Sequence, residues 1–105
     1  MRVLLDECLP RKLKWEVQAD VVSTVPEMSW ASTKNGALLR LAEKDFDIFL
    51  TNDRNLEHQQ NLKLFDLAII VLVAPTNDIE DLKPLMPEAN KVMNSINSRE
   101  IKYIK

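Results

Sequence analysis

Read from its amino end, the chain alternates short β-branched and Leu-rich runs with stretches of helical period. Val3 to Leu5 reads as a first strand, and Asp20–Val25, Asp47–Thr51, Leu67–Val73 and Ile101–Ile104 as the next four. Between the first two strands, Pro10–Val17 places Pro in a first turn and spaces Leu9, Leu13 and Val17 four apart, which predicts a helix with one apolar face. The segment from Thr33 to Asp45 has Thr33 as its expected N-cap and a stripe of Leu38, Leu39, Leu41 and Ala42. Asn55–Leu64 is polar apart from three Leu residues, so a short or irregular helix is expected there. Asp78–Ile96 has helical period, interrupted at Pro84, with Pro84 or Pro87 opening its second part. Strands that are apolar on both faces, such as Ala68–Val73, separated by helices, predict an α/β fold: a three-layer α/β/α sandwich around a five-stranded, mainly parallel sheet.

At 105 residues, positions 1–105 make one domain. The single glycine, Gly36, excludes Gly-rich dinucleotide and P-loop phosphate sites, which need several positions of close backbone approach. One Cys and one His cannot build a Cys/His zinc site or an intrachain disulfide, so a metal would have to be held by carboxylates. The longest apolar run, Leu67–Ala74, is too short to span a bilayer and the amino end has no signal-peptide core, so no membrane partner and a cytoplasmic setting are expected. A net charge of −2 argues against a protein wrapped in nucleic acid but leaves room for a local basic patch.

Function in an open parallel sheet gathers beyond the carboxyl ends of its strands. Those positions are Asp6-Glu7-Cys8, Thr24–Glu27, Asn52-Asp53-Arg54-Asn55 and Pro75-Thr76-Asn77. If the first and third strands are neighbours, Asp6 and Asp53 converge with Glu7 close by, a cluster that is either a divalent-metal site or partly protonated. Asp47 falls at the opposite end, roughly 20 Å away at ~3.3 Å per residue. Clustered carboxylates repel unless a cation joins them, and oxygen ligands suit Mg²⁺ or Mn²⁺. Single post-strand Asp residues more commonly cap turns. Arg11, Lys12 and Lys14, with Lys34 and Arg54, offer a phosphate-holding rim or simply a solvated face. His58 follows Asp53 closely enough to be weighed as a proton donor, against an ordinary surface role. Cys8 reads as packing, Trp15 as a cover for the sheet, and Trp30 as a candidate for the crevice wall.

The segments R-V-L-L-D-E-C-L-P, W-A-S-T-K-N-G-A-L-L-R-L-A and F-L-T-N-D-R-N-L, in that order, resemble a family of short bacterial PIN-like proteins, many grouped as toxin components of toxin-antitoxin pairs. The resemblance implies a PIN-like fold and a Mg²⁺- or Mn²⁺-dependent ribonuclease, with the acidic roles carried onto Asp6 and Asp53, and Glu7 as their neighbour. It further implies single-stranded or structured RNA as substrate and a small antitoxin as partner, with a homodimer allowed. Arg11, Lys12, Lys34, Asn35, Arg54 and Asn55 would surround the substrate. One departure stands out: relatives often carry an acid at the start of the second long helix, where this chain has Lys34-Asn35-Gly36. That favours a second reading, a catalytically degenerate protein- or RNA-binding module. A third is a receiver-like phosphoacceptor, which also pairs acids after strand one with an Asp after strand three; Thr76 and Lys102 would stand for its Thr and Lys.

Overall fold

A computed structural model describes all residues, 1–105. Five strands, β1 (Arg2–Leu5), β2 (Val21–Thr24), β3 (Ile48–Thr51), β4 (Ala68–Leu72) and β5 (Ile101–Ile104), form one sheet in the order β2-β1-β3-β4-β5. Every pairing is parallel, with Leu5 opposite both Thr24 and Leu50. The helices are α1 (Asn35–Asp45), α2 (Leu56–Gln59), α3 (Ile79–Leu82) and α4 (Met86–Met93).

The period-two alternation of the strands sorts the core into two clusters. Val3, Leu5, Ile48, Leu50, Ile70 and Leu72 face one way and meet Leu9, Leu13 and Val17 together with Leu82, Met86, Ala89 and Met93. Leu4, Phe49, Ile69 and Val71 face the other way and meet Leu38, Leu39 and Ala42 of α1 with Leu56, Leu62 and Phe65. Helical segments therefore cover both faces, as the two-sided apolar strands require.

Two local expectations are corrected. Pro10–Val17 is not an α-helix: Arg11–Glu16 forms a 3-10 helix between Pro10 and Val17, both of which are extended. Leu9, Leu13 and Val17 still bury one face, so the spacing identified the contact but not the helix type. Thr33 does not cap α1, which starts at Asn35 after an extended Lys34; the Thr33 amide instead closes a turn onto Trp30 O. Further on, Pro84 sits in a 3-10 turn, Lys83–Leu85, between α3 and α4, and Pro87 lies in the first turn of α4.

Candidate functional site

The strand order reverses at β1, which is flanked by β2 on one side and β3 on the other. Beyond the carboxyl ends of two such strands the chains diverge in opposite directions and leave a crevice, the usual ligand position in doubly wound sheets. Asp6 follows β1 directly, its amide bonded to Leu50 O of β3 at 2.9 Å. Asp53 follows β3 by two residues.

A single hydroxyl joins them. Thr51, the last residue of β3 and fully buried, donates its Oγ1 hydrogen to Asp6 Oδ2 at 2.7 Å and accepts the Asp53 amide at 3.0 Å. The other Asp6 oxygen accepts the Glu7 amide at 2.8 Å. Cys8 Sγ lies 3.7 Å from the same Thr51 hydroxyl. Burial pushes the Asp6 carboxyl above the usual aspartate range and the Asp53 charge adds to the rise, while the Thr51, Cys8 and Glu7 bonds oppose it. Burial, then the Asp6 charge, pushes the Cys8 thiol up to about 11, so it is no thiolate near neutral pH and packs against the core.

The surrounding residues are placed as follows. Glu7 is exposed and its Oε1 accepts the Ser32 amide at 3.1 Å, tying the loop before α1 to the end of β1. Asp53 Oδ1 accepts the Asn55 amide at 2.9 Å, the turn-closing role common for a post-strand Asp, alongside its place beside Asp6. A cleft of about 280 Å³ opens between the ends of β1 and β2, with Asp6, Glu7, Arg11, Thr24 and Glu27 on its walls. Thr24 and Glu27 exchange reciprocal backbone-to-side-chain bonds of 3.0 and 3.2 Å, as in a capping box, and Lys14 holds both Glu27 oxygens at 3.0 and 2.9 Å. The Lys14 ammonium keeps the Glu27 carboxyl below its ordinary range.

Of the cationic rim, Arg11 reaches this cleft, whereas Lys12 lines a different one beside Trp15. Lys34 and Arg54 are exposed on the loops leading into α1 and α2. The Asn35 amide donates to Gln59 Oε1 of α2 at 3.0 Å, so α1 and α2 are tied at their ends. His58 lies in a separate cleft with Glu57, Asn61 and Lys63. Asp47 stands at the opposite edge of the sheet, accepting the Arg2 amide at 2.7 Å, as its position in the strand requires.

Neither tryptophan lies on the wall of the Asp6–Glu7 cleft. Trp15 does not cover the sheet but is 78% exposed, since two residues on from buried Leu13 it lies on a different side of the helix. Trp30 is half-buried and packs edge-on against Phe46, ring centroids 6.2 Å apart. Thr51 was not anticipated as a site member; Thr24 and Glu27 were among the expected post-strand positions, and their S/T-x-x-E spacing is the signal for the bonds they exchange.

No group of three His, Cys, Asp or Glu side chains is arranged to hold a metal ion. The donor set at Asp6 and Asp53 is two carboxylates, one of them desolvated and repelled by the other. That chemistry fits one hydrated Mg²⁺ or Mn²⁺, which binds through one or two carboxylates and keeps its waters, and does not fit a closed all-protein cage. No family model matches the chain, and neither a curated protein nor a solved structure matches it.

Proposed function

We propose that the chain is a PIN-like ribonuclease, the toxin-type member of a toxin-antitoxin pair, working with Mg²⁺ or Mn²⁺ at the Asp6–Asp53 edge. The observation that carries this reading is the Asp6 carboxylate bonded to the Thr51 hydroxyl, which also accepts the Asp53 backbone amide, with the Asp53 charge near enough to act on Asp6, where the strand order reverses. Asp6 and Asp53 would hold the ion, with Glu7 at the rim. When bound, a divalent ion there neutralises charge on a phosphodiester and lowers the pKa of a water. The chain's own part is positional. Thr51 fixes the Asp6 carboxylate and the Asp53 backbone, the Asn55 amide holds the Asp53 carboxylate, and Arg11 stands on the cleft wall where it can bond a phosphate oxygen.

A second reading, a binding module without catalysis, draws on the commitments of two neighbours. Glu7 is bonded to the Ser32 amide, and Asn35, an uncharged amide, is bonded to Gln59, so the pair gains no free third acid from either. The phosphoacceptor reading draws only on the strand order, which is that of receiver-like doubly wound sheets. Its Thr and Lys are turned elsewhere: Thr76 bonds Asp81 at 2.5 Å, and Lys102 lies 3.9 Å from Glu100.

Thermal melting with and without millimolar Mn²⁺ separates the first two. A metal that binds the folded state alone at a hundred times its Kd adds about 2.7 kcal/mol, a shift of roughly 10 °C or more for a domain of this size. Asp53→Asn should remove that shift and any cleavage of single-stranded RNA while the protein stays folded. A wild-type chain whose melting ignores Mn²⁺ but which still binds RNA is the binding module.

A further inference from the structure

The six residues Arg11–Glu16 place three cations and a tryptophan on one 3-10 helix, of which only Leu13 is buried. Two things keep this segment in place from below: Leu13 in the core, and Asn90 of α4, whose amide donates to Glu16 O at 2.9 Å and accepts the Gln18 amide at 3.0 Å. The outward residues are thus mounted on a fixed support. Trp15 leaves most of its indole in water, a position that packing does not account for. Lys14 Nζ lies 5.8 Å over the indole ring while also gripping Glu27, a residue of the carboxylate cleft. Beside the indole opens a cleft of about 480 Å³, walled by Lys12, Ile79 and Lys83 together with Glu16 and Glu80.

We propose that Trp15 is a stacking platform for one base of a single-stranded RNA, whose adjoining phosphates pass Lys12 and Arg11 toward the Asp6–Asp53 edge. The proposal rests on the RNA reading of that edge and adds where the substrate is held. Charge complementarity selects this occupant. An aromatic face sharing a cleft with Lys12 and Lys83 matches the alternation of base and phosphate in a single strand, and every base has a face to stack. Glu16 and Glu80 repel a phosphate laid in the cleft but accept hydrogen bonds from base amino groups, so the base enters and the backbone stays outside. A duplex keeps its bases stacked internally and offers none.

The two tryptophans make the test direct. Trp30 is half-buried against Phe46, so Trp15 carries the solvent-exposed emission. Titration with an oligoadenylate of about twelve nucleotides, in EDTA, should quench that emission to saturation. Trp15→Ala should weaken binding by about 5- to 150-fold, the range that loss of one stacked base produces, and Trp15→Phe should recover most of it. The Mn²⁺ melting shift of Trp15→Ala should equal that of the wild type, and Asp53→Asn should still show quenching. Unchanged affinity in Trp15→Ala, or equal quenching by a duplex of the same length, overturns the platform. So does a concentration-dependent dimer that Trp15→Ala abolishes, which would give the indole to a second copy of the chain. A failed nuclease reading shows differently, as an absent Mn²⁺ response beside intact quenching.

Discussion

Asp6 is a carboxyl placed where its proton is held more tightly than in the unfolded chain, through burial first and the neighbouring Asp53 second. Between the ordinary aspartate range and its raised folded value, the native state therefore binds more protons than the unfolded one, and stability falls as pH rises through that window. Asp6→Asn removes the ionisation. In EDTA its melting temperature should exceed that of the wild type above the window, and the two should converge below the ordinary aspartate range, where both side chains are neutral. Melting curves between about pH 3 and 8 check this, and a constant gap at all pH values would contradict the assignment. Asp6 and Asp53 were legible in the sequence because a residue that ends a parallel strand must face the carboxyl edge. Thr51 was not, since its hydroxyl gains its partners only from the register that sets Leu5 beside Leu50.

At the scale of elements, spacing revealed faces more faithfully than helix type. Leu9, Leu13 and Val17 are buried together as their interval of four predicts, yet extended residues at both ends leave room for only six residues of 3-10 helix. The stretch Asn55–Leu64 resolves into α2 and a 3-10 turn, Leu62–Leu64, as its thin apolar content predicts. Asn90 shows where the pattern was silent. It is a buried polar residue in an otherwise apolar face of α4, and its partners are backbone atoms some seventy residues earlier, which no local period encodes. Asn90→Ala should cost about 1–3 kcal/mol, because it leaves the Gln18 amide and Glu16 carbonyl without their partner. Denaturant unfolding measures that loss, and oligoadenylate binding should weaken in the same variant as the support of Trp15 loosens. A loss of stability with full RNA affinity would separate the clamp from the platform.

For the whole molecule, a net charge of −2 sets the character of any RNA complex. Binding must come from a few local cations and a stacked base rather than from a general positive field. Each phosphate neutralised on a single strand contributes a slope of about −0.7 to the dependence of log K on log salt. Arg11 and Lys12 together predict a slope of roughly −1.4, and Lys12→Ala should reduce it by about one half. Titrations of oligoadenylate at several salt concentrations decide this; a slope several times steeper would require a basic surface elsewhere. The fold class was legible from two-sided strands alternating with helices. Strand order was not, because every parallel pairing depends on which crossover passes over which face, and residue pattern does not record that.

β1 lies between β2 and β3, and the sheet has no antiparallel pair. No hairpin can therefore start it, and each ladder must wait for a crossover to close a loop, a slow kind of assembly. The pairing that completes the centre of the sheet is also the one that brings Asp6 to Thr51 and Asp53. The two acids thus become neighbours only when that ladder is formed. A molecule built this way carries its own safeguard: a chain whose β1–β3 ladder is open has the carboxylates but not the site, so whatever the site does requires the centre of the sheet to be closed.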